Sequence, residues 1–204
     1  MEFKIDEYGF WRQIDPKPFK YDDEYKAVQK TTPEMSWLRL GYLFSAIQPD
    51  VCRSFKCVDV GSGNGCFAKE ASRFFTNGVM EYDLSGNTIS DDELYGTEWD
   101  LIFLTDVLEH YHDIEDLFKI PFRNVFLSFP ETPCVSDLNQ LSGWRHFRPD
   151  EHIWYLNASG VKKWLADHGC MILSCGSPED AIRKPPEGFG VNISTVIARR
   201  INPY

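Results

Sequence analysis

The 204-residue chain reads as an α/β domain built on a largely parallel sheet. Three observations predict this: strand-like and helix-like segments alternate from Phe55 onward, the strand cores are apolar runs, and glycine-rich or polar turns separate them.

In order along the chain, residues 1–32 hold Pro16, Pro18 and the acidic-aromatic run from Tyr21 to Tyr25, which suits an N-terminal arm laid over a core. Residues 33–204 form one domain. Pro33 suits the first turn of a helix, Glu34 complements its positive end, and Leu40, Leu43, Phe44 and Ile47 keep helical spacing until Pro49-Asp50 closes it. Phe55 to Val60 is a strand, Gly61-Ser62-Gly63-Asn64-Gly65 a turn, and Cys66 to Phe75 a helix with Phe67, Ala71 and Phe74 on one face. Val79 to Leu84 is a second strand, stopped by Ser85-Gly86-Asn87, and a polar loop leads to a third at Asp100–Leu104. A helix over Leu108–Phe118 and a strand at Asn124–Phe129 follow. The stretch from Pro130 to Asp150 is too long for a connector, so 130–154 is expected to be a lid or substrate loop. Val161, Trp164, Leu165 and His168 mark an amphipathic helix ending at Gly169. Strands at Met171–Leu173 and Val191–Ala198 finish the sheet, the latter alternating and therefore expected antiparallel near an edge.

Composition bounds the function. Hydrophobic residues at 43% and aromatics at 15% exclude a disordered chain. With 21 Lys+Arg against 31 Asp+Glu, the net charge of −10 disfavours a protein that grips nucleic acid or an anionic membrane by bulk electrostatics. The six cysteines form no Cys-x-x-Cys pair and read as buried free thiols of a reducing compartment. Met1 to Phe10 lacks a signal pattern, and no apolar run nears the roughly 18 residues of a spanning helix. A soluble, cytoplasmic protein is expected.

Glycines between a strand and a helix let backbone approach a ligand closely. Here Asp59 precedes glycines 61, 63 and 65, and the next strand ends in Asp83, where a carboxylate can accept ribose hydroxyls. A dinucleotide site wants an apolar strand end and a G-x-G-x-x-G/A loop, whereas Asp59 would repel pyrophosphate. A carboxylate there suits a cofactor carrying an amino-acid ammonium, which points to S-adenosylmethionine and away from a nicotinamide dehydrogenase.

Val58 to Gly65, then Tyr82-Asp83-Leu84-Ser85, then Trp99 to His110 resemble the successive motifs of class I S-adenosylmethionine-dependent methyltransferases. Glu151 to Tyr155 and the helix ending His168-Gly169 resemble the tail of the small-molecule branch of that family. The resemblance spans Phe55 to Leu173 and implies a Rossmann-like, doubly wound, mostly parallel seven-stranded sheet with an antiparallel last strand. It further implies that Gly61, Ser62 and Gly63 pass under the methionine part, with Asp59 beside its amino group. Asp83, with Leu84 next to it, would take the ribose hydroxyls, and Asp106 and Val107 would lie near the sulfonium. Arg39 would reach the methionine carboxylate; the alternative is a solvated helix-face arginine. Trp37, Tyr21 and Tyr25 would close over the site or simply pack the arm. Between Asp83 and Trp99 the family fits a helix, a third strand and an acid that reads adenine. Fifteen residues are too few for all of that, so that strand and helix are expected to be reduced or missing, and either Asp91 or Asp92 reads adenine from a short loop or recognition there is looser. Asp92 is counted with the cofactor residues.

The implied activity is methyl transfer to an oxygen, nitrogen or carbon atom of a small molecule or sugar-like metabolite. The sulfonium already activates the methyl group, so the enzyme mainly aligns it and excludes water. An oxygen acceptor also needs a base, for which His110, His146 and His152 are candidates. Trp144, Arg145 and Arg148 fall in the variable loop and would bind substrate, the arginines pairing a carboxylate or phosphate or else acidic neighbours. Histidines 110, 112, 146 and 152 give no clear ligand set, so no metal is assigned. The alternative from another class is a cofactor-binding but non-catalytic partner or regulator, suggested by the short segment after Asp83.

Overall fold

A computed structural model describes residues 1–20, 31–86, 89–188 and 190–201; Tyr21 and Tyr25 lie outside these. Thr32 accepts a hydrogen bond from the Met35 amide and Pro33 sets the first turn, so α1 runs Pro33–Ala46 before the short α2, Pro49–Cys52. The main sheet is formed by β3 (Cys57–Val60), β4 (Val79–Tyr82), β5 (Trp99–Thr105), β6 (Phe122–Pro130), β8 (Cys170–Gly176) and β9 (Ile193–Arg200), in the order β4-β3-β5-β6-β9-β8. The first three pairings in that order are parallel, and β9 is antiparallel to both its neighbours.

Period-two alternation sends side chains to two apolar layers. Val58, Val60, Ile102, Leu104, Val125 and Leu127 face Val161, Trp164 and Leu165 of α6 (Ala158–Asp167). Cys57, Leu101, Phe103 and Phe126 face Leu40, Leu43 and Ile47, together with Phe67 and Ala71 of α3 (Cys66–Ala71). Asp59 shares the parity of Cys57, so the pleat drives a carboxylate into this second layer.

Several expectations need correction. The main sheet has six strands among the described residues, in keeping with the reduced segment expected after Asp83; between β4 and β5 stands only the six-residue α4, Asp91–Gly96, capped by Ser90. In place of a helix over 108–118 are two 3-10 turns, Leu108–His110 and Ile114–Lys119. Tyr111 turns extended and the Asp113 carboxylate accepts from the Glu115 amide, restarting the chain. α3 stops at Ala71 and the chain goes on in turns, with Phe75 buried and Phe74 exposed, while Ser72 Oγ accepts from the Val79 amide. β9 is antiparallel and stands next to the edge strand β8, as expected. Of the cysteines, only Cys52, Cys57 and Cys170 are buried; Cys134 and Cys175 are exposed.

The arm carries β1 (Phe3–Ile5) and β2 (Trp11–Gln13), which form an antiparallel sheet with β7 (Trp154–Tyr155). Segment 130–154 is not structureless: it contains α5, Leu138–Ser142. Leu141, Trp144 and Tyr155 form a third apolar cluster with Trp11. Gln13 clamps Asp150, donating Nε2 to its carboxylate at 2.7 Å and accepting from its amide at 2.8 Å. No described helix is long and apolar enough to cross a membrane.

Gly160 makes the arm's seat, since a Cβ there would stand 2.4 Å from the Tyr8 carbonyl and 2.5 Å from the Phe10 ring. Gly160→Ala is expected to cost about 1–3 kcal/mol by overpacking and to speed proteolysis of the first fifteen residues. Urea denaturation and a timed protease digest measure the two effects, and an unchanged digest would refute the seat.

Candidate active site

The carboxyl ends of β3 and β5 border a cavity of about 610 Å³, within the range typical of small-molecule sites. Gly61, Ser62, Thr105 and Asp106 line it together with Glu109, His110, Arg145, His146, Arg148, Glu151, His152 and Arg183. The strands and the segment 130–154 therefore contribute to one space. Asp83, Leu84, Asp92, Val107, Arg39, Asp59 and Trp144 do not line it.

The glycine loop is dictated sterically. Gly61 sits at φ +72°, and a Cβ there would stand 2.4 Å from Val107 Cγ2. Val107 thus fills the space glycine leaves and fixes the loop from the end of β5. The Gly63 amide donates to Asp83 Oδ2 at 2.9 Å, while Asp83 Oδ1 accepts from the Ser85 amide at 2.9 Å. Asp83 therefore joins the glycine loop to the end of β4. Leu84 is exposed, as is Asp92, on α4, whose neighbour Asp91 accepts from the Tyr82 hydroxyl at 2.8 Å. Trp37 is half exposed and donates its indole N–H to Glu70 at 2.9 Å.

Arg39 overturns the solvated helix-face alternative, because it is 0% exposed. Its Nε and Nη2 donate to the two oxygens of buried Glu179, each at 2.9 Å, and Nη2 also reaches Asp106 Oδ2 at 2.9 Å. Arg183 pairs with the same two acids, at 2.8 Å to Asp106 and 3.2 Å to Glu179. Ser128 on β6 donates its hydroxyl to Glu179. Burial opposes ionisation of Asp106, but Arg183 and Arg39 outweigh it and hold its pKa below the ordinary carboxylate value. Asp106 adopts φ +57°, uncommon for a residue with a side chain.

Asp59 and Glu109 follow the opposite logic. Both are buried, and neither carboxylate has a hydrogen-bonding partner on another residue; the Ala68 amide approaches Asp59 without closing a bond. Burial pushes Asp59 up to about 8, against the pull of Arg39, and pushes Glu109 well above its ordinary value with help from Asp106.

Burial disfavours the charged form of all three histidines. Burial lowers His110, lowers His146 to about 4 and lowers His152 to about 2. His110 Nδ1 lies 2.8 Å from the Glu151 carbonyl and His152 Nδ1 lies 3.0 Å from the His146 carbonyl. A carbonyl only accepts, so both rings carry their proton on Nδ1. His146 Nε2 lies 2.8 Å from Asn192 Oδ1, while the Asn192 side-chain amide donates to the Arg183 carbonyl at 2.7 Å, so His146 carries its proton on Nε2. His112 is exposed. Arg148 pairs with Glu151 at 3.2 Å, whereas Arg145 only approaches the Lys184 carbonyl at 3.5 Å. Trp144, expected against substrate, is buried beside Trp11 and Tyr155. Sequence reasoning missed Glu179 and Arg183. A Glu-x-x-x-Arg spacing in a polar tail gives no sign that a distant helix will supply their counter-ion.

A glycine loop after the first strand of the main sheet, an acid closing the next strand, and a cavity across the strand ends define a class I S-adenosylmethionine-dependent methyltransferase fold. The family described as "Methyltransferase domain" matches residues 24–174, and the chain belongs to it; it is a methyltransferase. No curated protein matches the chain. Among solved structures it resembles magnesium protoporphyrin IX methyltransferase from Synechocystis PCC 6803 with bound SAH, at 14% identity over 87% of this chain and 92% of that one, with a TM-score of 0.53. An S-adenosylmethionine-dependent methyltransferase from Clostridium acetobutylicum ATCC 824 gives 12% identity, 88% and 95% coverage and a TM-score of 0.55. The 1,6-didemethyltoxoflavin-N1-methyltransferase of Burkholderia thailandensis gives 16%, 99% and 100%, and 0.51. At these identities the likeness is one of fold.

Gly61 keeps backbone bare beside the cavity, as a closely approaching cofactor needs. Asp59, a buried acid, and Arg39 Nη1, a buried donor, have no partner and do not line the cavity.

Two outcomes test the electrostatics. Arg39→Ala leaves Arg183 as the one arginine against both Glu179 and Asp106 and is expected to cost about 3–5 kcal/mol in urea denaturation at pH 7; a cost below about 1 kcal/mol would show that the network is slack. The folded chain retains the Asp59 proton up to about pH 8, whereas the unfolded chain loses it near pH 4. Stability from this group is therefore full below pH 4 and falls as pH rises toward 8. Asp59→Asn should flatten that fall, matching wild type near pH 4 and exceeding it at pH 9; parallel denaturation curves at both pH values would contradict it.

Proposed function

We propose that the chain methylates an oxygen, nitrogen or carbon atom of a small molecule, with S-adenosylmethionine as donor. The observation that carries this reading is the cavity of about 610 Å³ whose lining combines Gly61 and Ser62 of the glycine loop with Arg145, His146 and His152. S-adenosylmethionine supplies a methyl group already electrophilic on sulfur, so the chain's work is holding, orientation and water exclusion.

Gly61, Ser62 and Gly63 would hold the methionine part, with Asp59 serving its ammonium and Arg39 Nη1 its carboxylate. Asp83 would take the ribose hydroxyls, and Leu84 and Asp92 would border the adenosine. Asp106 and Val107 would lie beside the methyl group. Of the candidate bases His110, His146 and His152, His146 is favoured: with its proton on Nε2, a lone pair remains on Nδ1 to take a proton from a hydroxyl or amine. Arg145, which has no carboxylate partner among the described residues, would pair an acidic group on the acceptor, with Arg148 as second cation and Trp144 supporting the segment from beneath. The net charge of −10 supports a small acceptor over nucleic acid, and six free cysteines support a reducing, cytoplasmic setting.

Isothermal titration with S-adenosylmethionine and S-adenosylhomocysteine is expected to show binding of both, and radiolabelled methyl transfer to a panel of small acids, sugars and phenols to show turnover. Binding without turnover would favour a non-catalytic regulator. Arg145→Ala should raise KM about tenfold for a carboxylate or phosphate acceptor, the loss of one charge-assisted contact, and leave kcat nearly unchanged. An unaltered KM would remove the anion role.

A further inference from the structure

Within the cavity, Glu109, His110 and His152 each offer a ligand atom, and these atoms lie within 4.8 Å of one another. We propose that Glu109, His110 and His152 form a binding site for a divalent first-row cation of the manganese-to-zinc series, open on the cavity side.

The chemistry of the three groups supports it. Each histidine is oriented by a backbone carbonyl on Nδ1, which leaves the lone pair on Nε2. This is the tautomer a metal-ligating imidazole adopts when its other nitrogen is anchored. The rings meet edge to face, 4.8 Å between centroids. Glu109 supplies the independent observation: it is 2% exposed, lines the cavity, and has both carboxylate oxygens buried without a partner on another residue. A buried acid in that state keeps its proton until a cation replaces it, so metal binding here releases one proton. The protein cations do not fill the role, since Arg183 is paired with Asp106 and Glu179, and Arg148 with Glu151.

The frame is rigid where it matters. Glu109 and His110 ride the 3-10 turn leaving β5, His152 precedes β7, and the Ile153 amide donates to the Glu109 carbonyl at 2.9 Å, tying the two pieces together. Nitrogen and oxygen ligands about 2.0–2.2 Å from a tetrahedral zinc stand about 3.4 Å apart, so binding draws the three groups inward by side-chain rotation. Two imidazoles and one carboxylate suit a borderline cation and leave at least one coordination position. That position opens on the cavity, for water or an acceptor oxygen; the acceptor's part rests on the proposed methyl transfer, while the metal site itself does not.

The test is binding to the full chain after chelator treatment, without cofactor or acceptor, so that it is independent of methyl transfer. Titration with Zn²⁺ by calorimetry should give one ion per chain at micromolar Kd or tighter, and Co²⁺ should produce visible absorption bands of a low-symmetry nitrogen–oxygen site. Glu109→Gln and His152→Asn should each weaken binding at least about tenfold, whereas exposed His112→Ala should bind as wild type. Glu109→Gln keeps the shape and removes a buried acid, so its thermal melt should stay at or above that of the wild type, which separates loss of a ligand from loss of the fold. Absence of Zn²⁺ and Co²⁺ binding at about 1 mM, or binding equal to wild type in a folded Glu109→Gln protein, would overturn the site.

Discussion

Arg39 is an arginine with no solvent exposure, and a guanidinium cannot shed its proton to escape burial. Its charge must be met where it stands. Glu179 meets it with two oxygens, Asp106 with a third, and Arg183 and Ser128 complete the set. These groups come from α1, the end of β5, β6 and the turn after β8, so one charge fixes four parts of the chain. The consequence reaches the glycine loop. Asp106 is held at positive φ, Val107 follows it, and the Val107 methyl groups occupy the space that a side chain on Gly61 would need. The loop shape is set from across the sheet as much as by its own glycines.

The same low-dielectric setting sorts the acids of the site into two kinds. Asp106, between two arginines, is driven toward the ionised form, while Asp59 and Glu109, buried and unpartnered, are driven toward the neutral form. Environment, rather than residue type, decides which acid carries charge, as when enzymes separate the roles of chemically identical carboxyls. The histidines around them are driven toward the neutral form for the related reason that burial disfavours imidazolium. The cavity therefore carries only part of its formal charge.

Much of the fold was legible because its signals are local. The apolar runs of β5 and β6, the glycine turn after Val60 and the alternation of β9 follow from period-two burial, and the missing third strand follows from counting residues between Asp83 and Trp99. What was not legible depends on distant partners. The helix expected over 108–118 has helical spacing, yet Asp113 captures the Glu115 amide and breaks it into turns. Trp144 looked like a substrate platform, but Trp11, far away in sequence, offers it a core instead. Arg39 was recognised as a candidate without its counter-ions, since nothing in the run from Pro178 to Arg183 announces which helix it will face. The grouping of Glu109, His110 and His152 was likewise hidden, because the sequence places His152 42 positions beyond His110 and only the fold brings it back.

The pairing of β2 with β7 makes the first fifteen residues and segment 130–154 behave as a single latch. Gln13 and Asp150, separated by 137 positions, are bonded in both directions, and Trp11 is packed with Trp144 and Tyr155. Raising that segment from the cavity requires breaking the clamp and wetting three large rings at once, a cooperative event rather than the swing of a loose loop. Displacement of that segment and disorder at the amino-terminal end are then two readings of one equilibrium.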